Sequence, residues 1–366
     1  MNINFNFSIL LLIVGTAHGL VTAIALLRSQ NNKKADRYLG LLVLGFSLQS
    51  FDYFLFKSGI YLQHGKFYFL PIFYSLGFGP LLYMYIRTLT GMGDRQRLMW
   101  LHFLPVLIQC LFYLSLTFRS FPYKTYFWIN IHQPYTQKAE LYASVLSIGI
   151  YIYFSIVLLQ KYNRKINDYF SNTAHSTLKW LRNMLLGLLI LYAGWLTEHL
   201  LGNFQYGIVH VLLPIYIYWL AWMGFQQRNI LDVRLEEPKN VFSTTKSQPE
   251  VSPAMLLLIK QAMENDRLYR NPTLTLSDLA RHVDLAPKSV SFIINSQLGK
   301  SFNSYVNEYR IDDFKQKLLA EQNSRFTILA LALESGFNSQ ASFYRIFKEF
   351  TGVSPKEYQK SLSNQS

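Results

Sequence analysis

The sequence is short of cysteine: Cys110 is its one thiol in 366 residues. A lone cysteine forms neither an internal disulfide nor a thiolate zinc site. Charge is scarce as well, with Asp, Glu, Lys and Arg making up 15% against about 25% in ordinary soluble domains. Catalytic signatures are missing: there is no phosphate-binding P-loop, no HExxH and no GxSxG. Residues 206–225 hold no lysine, which excludes a retinal Schiff base in that stretch. No catalytic residue, cofactor or metal site is therefore expected, and the reading is not an enzyme. No Lys or Arg precedes Ile9 and no small-x-small cleavage site follows the first apolar run, so that run reads as a retained span, not a signal peptide.

Apolar and aromatic residues fill the space. Hydrophobic residues reach 51%, aromatic ones 16%, and mean hydropathy is +0.13. Residues 8–27, SILLLIVGTAHGLVTAIALL, carry no formal charge. Twenty such residues are enough to cross about 30 Å of hydrocarbon. Similar stretches recur near 38–56, 68–89, 98–117, 141–160, 183–202 and 206–225. They predict seven spans over residues 1–226, with six as the competing count. Trp and Tyr near their ends (Tyr38, Trp100, Trp180, Trp219) suit interfacial anchors, and Trp195, mid-span, suits packing.

The formal charge is +14, and its placement gives an orientation. Residues 1–249 hold 21 basic and 9 acidic side chains, residues 250–366 hold 14 and 12. The loops on one side carry 14 Lys/Arg, among them Arg28, Lys33, Lys34, Arg37, Lys161, Arg164 and Lys165; those on the other carry 5. Excess positive charge marks the cytoplasmic side. Seven spans then place the N-terminus outside and everything after residue 226 inside, in the cytoplasm. Residues 227–252, with Pro238 and Pro249, read as a cytoplasmic linker.

From 253 to 366 the pattern becomes that of a soluble all-α domain. Thr275-Leu276-Ser277-Asp278 fits a capping box. A short helix, the turn Asp284-Leu285-Ala286 and the helix PKSVSFIINSQL follow, with Pro287 in the first turn and Gly299 at the end. This is a helix-turn-helix pattern. A longer helix over Phe302–Leu319 comes next. The pattern then repeats: Ile328–Glu334, a turn at Gly336, and Gln340–Phe350. The expected fold is a polytopic helical bundle followed by a double helix-turn-helix, all-α throughout, and the segment 250–366 is expected to fold and bind DNA by itself.

Leu279-Ala280, GKSFNSYVNEYRIDDFKQKLL and ESGFNSQASFYRIFKEFTGVSPKEYQK carry a family resemblance over about 255–363. The most diagnostic positions are Gly336-Phe337, Ser342-Phe343, Arg345, Phe347-Lys348, Gly352, Pro355 and Tyr358. This segment resembles the DNA-binding domain of AraC/XylS transcription regulators. It departs at Gln359, where Arg is frequent, and at Ile294-Asn295, where Phe-Lys is commoner. The membrane half is unlike the arabinose-binding cupin domain and is similar to the seven-span sensor halves of some membrane-bound members.

Helical spacing places Val290 with Ile294, and Phe343 with Phe347, on inward faces. The outward set is Lys288, Ser289, Ser291, Phe292 and Asn295 in the first recognition helix, and Gln340, Ala341, Ser342, Tyr344, Arg345 and Lys348 in the second. The resemblance implies that these positions meet the major groove, where Arg reads guanine and Gln reads adenine. Ser and Lys more often reach phosphates. The alternative for each is a solvated helix face, for Phe292 packing, and for Lys300 either a phosphate contact or solvent.

Ionisable groups inside an apolar span invite a functional reading. Asp52, Glu198, His199 and His210 fall near the outer ends of spans two, six and seven, with His64 and His132 in outer loops. They form a candidate small-molecule-binding set; the competing reading is hydration of wet span ends. His18, His102 and Gln109 read as hydrogen-bond partners between helices. The whole describes a membrane-embedded one-component regulator: a signal is sensed in the membrane half and promoter DNA is bound by the cytoplasmic half. The implied partners are double-stranded promoter DNA, membrane lipid, a small-molecule or membrane-derived effector, RNA polymerase and a second copy of the chain. The competing reading is a membrane transporter or enzyme whose tethered DNA-binding domain couples turnover to transcription.

Overall fold

The computed structural model describes residues 7–29, 33–72, 74–91, 99–171, 179–200, 208–226, 253–320 and 326–363. The linker expected at 227–252 lies outside the described residues. Two compact units emerge: Met1–Tyr162 with Leu178–Val233, and Asn163–Thr177 with Arg234–Ser366. In this division the described residues 163–171, which the sequence reading places in the membrane half, group with the C-terminal residues. Among the described residues the fold is all-helical, apart from an isolated bridge between Phe170 and Thr275.

The first unit contains α1 (Phe7–Arg28), α2 (Lys33–Lys57), α3 (Phe78–Thr90), α4 (Leu104–Thr117), α5 (Gln137–Tyr169, whose last residues enter the second unit), α6 (Lys179–Leu200) and α7 (Ile208–Gln226). Among the described residues, five helical segments are long and apolar enough to cross a membrane: Phe7–Arg28, Lys34–Lys57, Met99–Thr117, Phe121–Tyr169 and Trp180–Glu198. Leu26, Leu39, Leu42, Phe46, Phe78, Leu82, Leu188, Ile217 and Leu220 form one core among them. Glycine permits the closest approaches: a Cβ at Gly15 would strike the Pro214 ring, and one at Gly19 would strike Ser47 Oγ. Small residues four apart are the usual device for bringing two apolar helices together.

The stretch 68–89 is not one helix. Pro71 offers no amide donor, and Phe69 has φ 61°, a region bulky residues seldom occupy. Regular α-helix starts only at Phe78, and its 13 residues span about 20 Å. The segment 120–138 is likewise not an open loop. Phe121–Phe127 is helical and passes through wide helical turns at Trp128–Thr136, with Pro134 inside, directly into α5. Lys124 is buried there and donates from Nζ to the Lys66 carbonyl at 3.3 Å.

The second unit contains α8 (Pro253–Glu264), α9 (Leu276–His282), α10 (Pro287–Leu298), α11 (Phe302–Ala320), α12 (Ile328–Glu334), α13 (Gln340–Thr351) and α14 (Pro355–Ser363). The α11 helix serves two cores. Its first half gives Phe302, Tyr305 and Val306 to a cluster with Leu279, Ala280, Val290, Ile293 and Ile294. Its second half gives Ile311, Phe314 and Leu318 to a cluster with Leu331, Ala332, Phe343, Ile346 and Phe347. Two helix pairs, α9–α10 and α12–α13, are thereby fastened to one rod of about 28 Å.

Candidate nucleic-acid interface

Local chemistry sets each helix pair. Thr275 Oγ1 accepts from the Asp278 amide at 3.2 Å, while the Thr275 amide donates to Asp278 Oδ2 at 3.1 Å. This is the capping box read from the sequence, and it starts α9. Asp284 takes φ 52° at the turn into α10, within what an aspartate tolerates. Thr327 Oγ1 accepts from Ala330 N at 3.1 Å to start α12, and Ser339 Oγ accepts from Ser342 N at 3.3 Å to start α13. The turn between them needs glycine for two reasons. Gly336 has φ 94°, and a Cβ there would strike the Tyr269 carbonyl oxygen and lie 2.8 Å from Arg270 Cα.

The inward faces match the spacing argument: Val290, Ile294, Phe343 and Phe347 are fully buried. On α10, Lys288, Phe292 and Asn295 are exposed, and Ser289 and Ser291 are half-buried. Asn295 Nδ2 donates to Ser291 Oγ at 3.3 Å. On α13, Gln340, Ala341, Arg345 and Lys348 are exposed. Arg345 pairs with Glu349 one turn on, at 3.3 Å. Tyr344 is half-buried, with its ring edge-on to Phe343. Ser342 departs from the expectation: it is buried, 6% exposed, because the third residue of α13 tucks under its own cap and joins the Phe343 side of the helix. Lys300 is neither free nor merely solvated, since its Nζ lies 2.5 Å from Glu308 Oε2.

A polar centre that the spacing argument overlooked holds this unit together. Arg310 is 1% exposed. Its Nε donates to the Tyr269 carbonyl at 2.7 Å, and its Nη2 donates to the Asn271 carbonyl at 2.7 Å and to Ser171 Oγ at 3.1 Å. Its Nη1 reaches Asn307 Oδ1 at 3.4 Å. Burial pulls the guanidinium down to about 10, because the partners are neutral oxygens. Ser171 is itself clamped: its Oγ donates to the Leu274 carbonyl at 2.6 Å, and Asn303 Nδ2 donates to the Phe170 and Ser171 carbonyls at 3.1 and 2.7 Å. Residues 170 and 171 thus form a strap across α11. The available signal was Arg310 lying four residues from both Val306 and Phe314, an ionised group on an apolar stripe.

One turn on, Asp313 binds Arg270 at 2.8 Å and Lys317 at 3.1 Å. Burial pushes its carboxyl up, and the two basic partners more than offset that, leaving it below the ordinary aspartate range.

The family of helix-turn-helix domains matches residues 279–361. This part of the chain is a helix-turn-helix domain. An uncharacterized HTH-type transcriptional regulator of Staphylococcus aureus (strain COL) is 34% identical over 100 residues, 27% of this chain and 13% of that one. The arabinose operon regulatory protein of Escherichia coli (strain K12) is 35% identical over 83 residues, 23% of this chain and 27% of its own. That of Salmonella typhimurium is equally similar, over 28% of its length. The chain therefore spans between about an eighth and a little over a quarter of these relatives. A solved structure of a protein of unknown function from Listeria innocua is 25% identical, covering 30% of this chain and 97% of that one with a TM-score of 0.26, and adds nothing to the fold. The similarity lies in the helix-turn-helix domain.

Of the polar residues expected to form a set in the first unit, Asp52 and Glu198 are described and have separate partners. Asp52 lines a cavity and accepts a hydrogen bond from Tyr61. Glu198 Oε1 accepts from the Val209 amide at 3.2 Å, joining the end of α6 to the start of α7, and it is not among the cavity's lining. The side chains of His199 and His210 lie outside the described residues. His132 is not in an outer loop: it is buried in the wide turns, with Nδ1 2.7 Å from Thr136 Oγ1. His102 Nδ1 meets Tyr151 Oη at 2.8 Å, and Gln109 Nε2 donates to Ser75 Oγ at 3.4 Å, so both link separate chain segments. The His18 ring lies 5.2 Å from that of Tyr218. Among the described residues no group of three or more His, Cys, Asp or Glu is placed to hold a metal ion.

Proposed function

We propose that this chain is a membrane-embedded, one-component transcription regulator of the AraC/XylS type. The helices of its first unit lie in a bacterial inner membrane with the N-terminus outside, and the helix-turn-helix unit works in the cytoplasm. The observation that carries the DNA-binding part is the pair of helix-turn-helices on α11, each with an apolar inner face and an exposed polar one. In this reading α10 and α13 enter major-groove segments of promoter DNA. Arg345 and Gln340 face base edges, and Lys288, Ser289 and Lys348 reach phosphates.

The membrane part rests on the outer surface of the first unit. Val14, Val21, Leu107, Ile108, Leu146 and Ile190 are each more than half exposed around a core that is already apolar. Water would leave that exterior unsatisfied; lipid suits it. The effector acts by binding one arrangement of the helices more tightly than another. Dimer pairing and contact with RNA polymerase belong to the same reading.

Reporter fusions combined with footprinting test it. A fusion after Gln226 is expected to report cytoplasm, and full-length protein in lipid nanodiscs is expected to protect a fragment of a promoter it controls. Protection should weaken with salt at a slope near 0.9 per phosphate contacted. A periplasmic signal after Gln226 refutes the topology, and salt-independent protection refutes the groove contacts.

A further inference from the structure

The first unit holds a partly open cavity of about 390 Å³, a size suited to a small organic molecule. The irregular chain at 60–70 forms one wall, and the wide turns ahead of α5 form another. Broken helix at such depth is tolerated where it lines a cavity. Two features define the chemistry inside.

The first is charge of one sign. Asp52 and Glu140 both line the space, and among the described residues no Lys or Arg does. Among the described residues neither carboxylate is paired with a cation: Asp52 Oδ1 accepts from Tyr61, and Glu140 Oε2 accepts from Tyr113 at 2.7 Å. The Lys57 ammonium sits 5.6 Å over the Tyr53 ring and is not among the described lining residues. The imidazole of His132, also in the lining, is held by Thr136. A carboxylate removed from water without a cation is costly, so the cavity favours a positive guest.

The second is the walls. Tyr61 stacks on Tyr68 at 5.6 Å, Tyr68 lies 5.7 Å from Trp128, and Trp195 closes another side. Aromatic faces attract an ammonium group and accept its apolar substituents equally well. A bare metal ion fits poorly: the described residues offer no three-ligand group for one, and aromatic rings replace no hydration shell.

We infer that this cavity is the effector site, and that its ligand is an organic ammonium ion carrying an apolar group, seated between Asp52 and Glu140 and boxed by Tyr61, Tyr68, Trp128 and Trp195. This rests on the regulator reading above. Of the polar residues singled out along the sequence, Asp52 and His132 are among the described residues that line the site, and Glu140 is an unanticipated third.

Calorimetric titration of the full-length protein in lipid nanodiscs tests it with three probes: benzyltrimethylammonium, its neutral isostere neopentylbenzene, and benzoate. The cation is expected to bind at least about tenfold more tightly than the isostere, and benzoate least. Asp52→Asn with Glu140→Gln should erase the preference for the cation while leaving binding of the isostere unchanged, and Trp128→Leu should weaken both. Benzoate binding as well as the cation overturns the inference, as does equal binding of cation and isostere or a double variant indistinguishable from the parent. The ranking of probes on the parent protein needs no variant to fold. DNA protection is measured on the same preparations. Intact protection without cation binding rejects the site alone, whereas cation binding without protection of any promoter rejects the regulator reading and leaves the site standing.

Discussion

Replacing Ser171 by Ala removes one oxygen from the centre of the helix-turn-helix unit, 103 residues away in sequence from the carbonyl it serves. Two interactions go with it. Arg310 Nη2 loses the 3.1 Å contact and keeps the Asn271 carbonyl. A hydrogen bond to a charged group contributes about 1.5–3 kcal/mol. The Leu274 carbonyl loses its 2.6 Å hydroxyl donor but keeps the Ser171 amide at 3.3 Å, so this loss falls at the low end of about 0.5–1.5 kcal/mol. The site is fully buried, and water cannot replace either partner without opening the strap. The expected destabilisation is about 2–4 kcal/mol, against a total of roughly 5–15 kcal/mol for an ordinary domain. Hydrogen exchange on the full-length protein reads it directly. Protection of the α11 amides should fall by about 30- to 700-fold, the same energy expressed at 1.4 kcal/mol per decade. Ser361→Ala is the control, because that hydroxyl bonds the Tyr358 carbonyl at an exposed position. A Ser171→Ala protein whose α11 protection stays within about threefold of the parent refutes the idea that residues 170 and 171 hold the unit together.

Three further outcomes follow from the geometry. Arg345→Ala should cost about 1–3 kcal/mol on a native promoter and relax base preference, while Lys348→Ala should weaken all sequences alike and lower the salt slope by about one; gel shifts over a salt series separate the two, and an unchanged Arg345→Ala means α13 is turned otherwise in the groove. Gly336→Ala should destabilise the unit by more than about 1–2 kcal/mol, since left-handed strain adds to the clash with Tyr269 and Arg270, whereas Asp284→Gly should be nearly neutral in the same thermal melt. Asp313 is held below its usual value when folded, so its contribution is complete above the ordinary aspartate range near pH 4 and is lost as pH falls through the lowered value; Asp313→Asn should flatten the acid limb of the stability profile, and an unaltered limb shows that the Arg270 and Lys317 pairs contribute nothing there.

The helix-turn-helix unit was legible wherever order is local. Caps at Thr275 and the turn glycine at Gly336 announce themselves within four residues, and the 3.6-residue period of Val290/Ile294 and Phe343/Phe347 gives the inner faces. Ser342 was misplaced because the period alone cannot say how far a buried stripe extends around a helix. In the first unit the period carries little, since outward-facing and core-facing side chains are both apolar. The break at Phe69 and Pro71 and the helical path of 121–136 are consequences of packing between distant segments, and no window of sequence contains them. The role of Ser171 was invisible for the same reason: nothing in QKYNRKINDYFS marks a serine that a buried arginine 139 residues later will need.

The strap also bears on how such a chain can be cut, swapped or inherited. The usual view of a DNA-binding cassette is that it can be lifted off at its linker and joined to another sensor. Here a cassette taken from residue 250 onward leaves behind the hydroxyl that Arg310 uses and the two carbonyls that Asn303 binds. A recombination event or a protease acting within 227–252 severs the covalent join and leaves residues 170 and 171, at the end of α5, still hydrogen-bonded to α11. The unit of exchange is discontinuous, two pieces of chain separated by the whole of α6 and α7. A successful graft onto a new membrane half must bring an equivalent of Ser171 with it, or replace Arg310 by a side chain that asks for no partner.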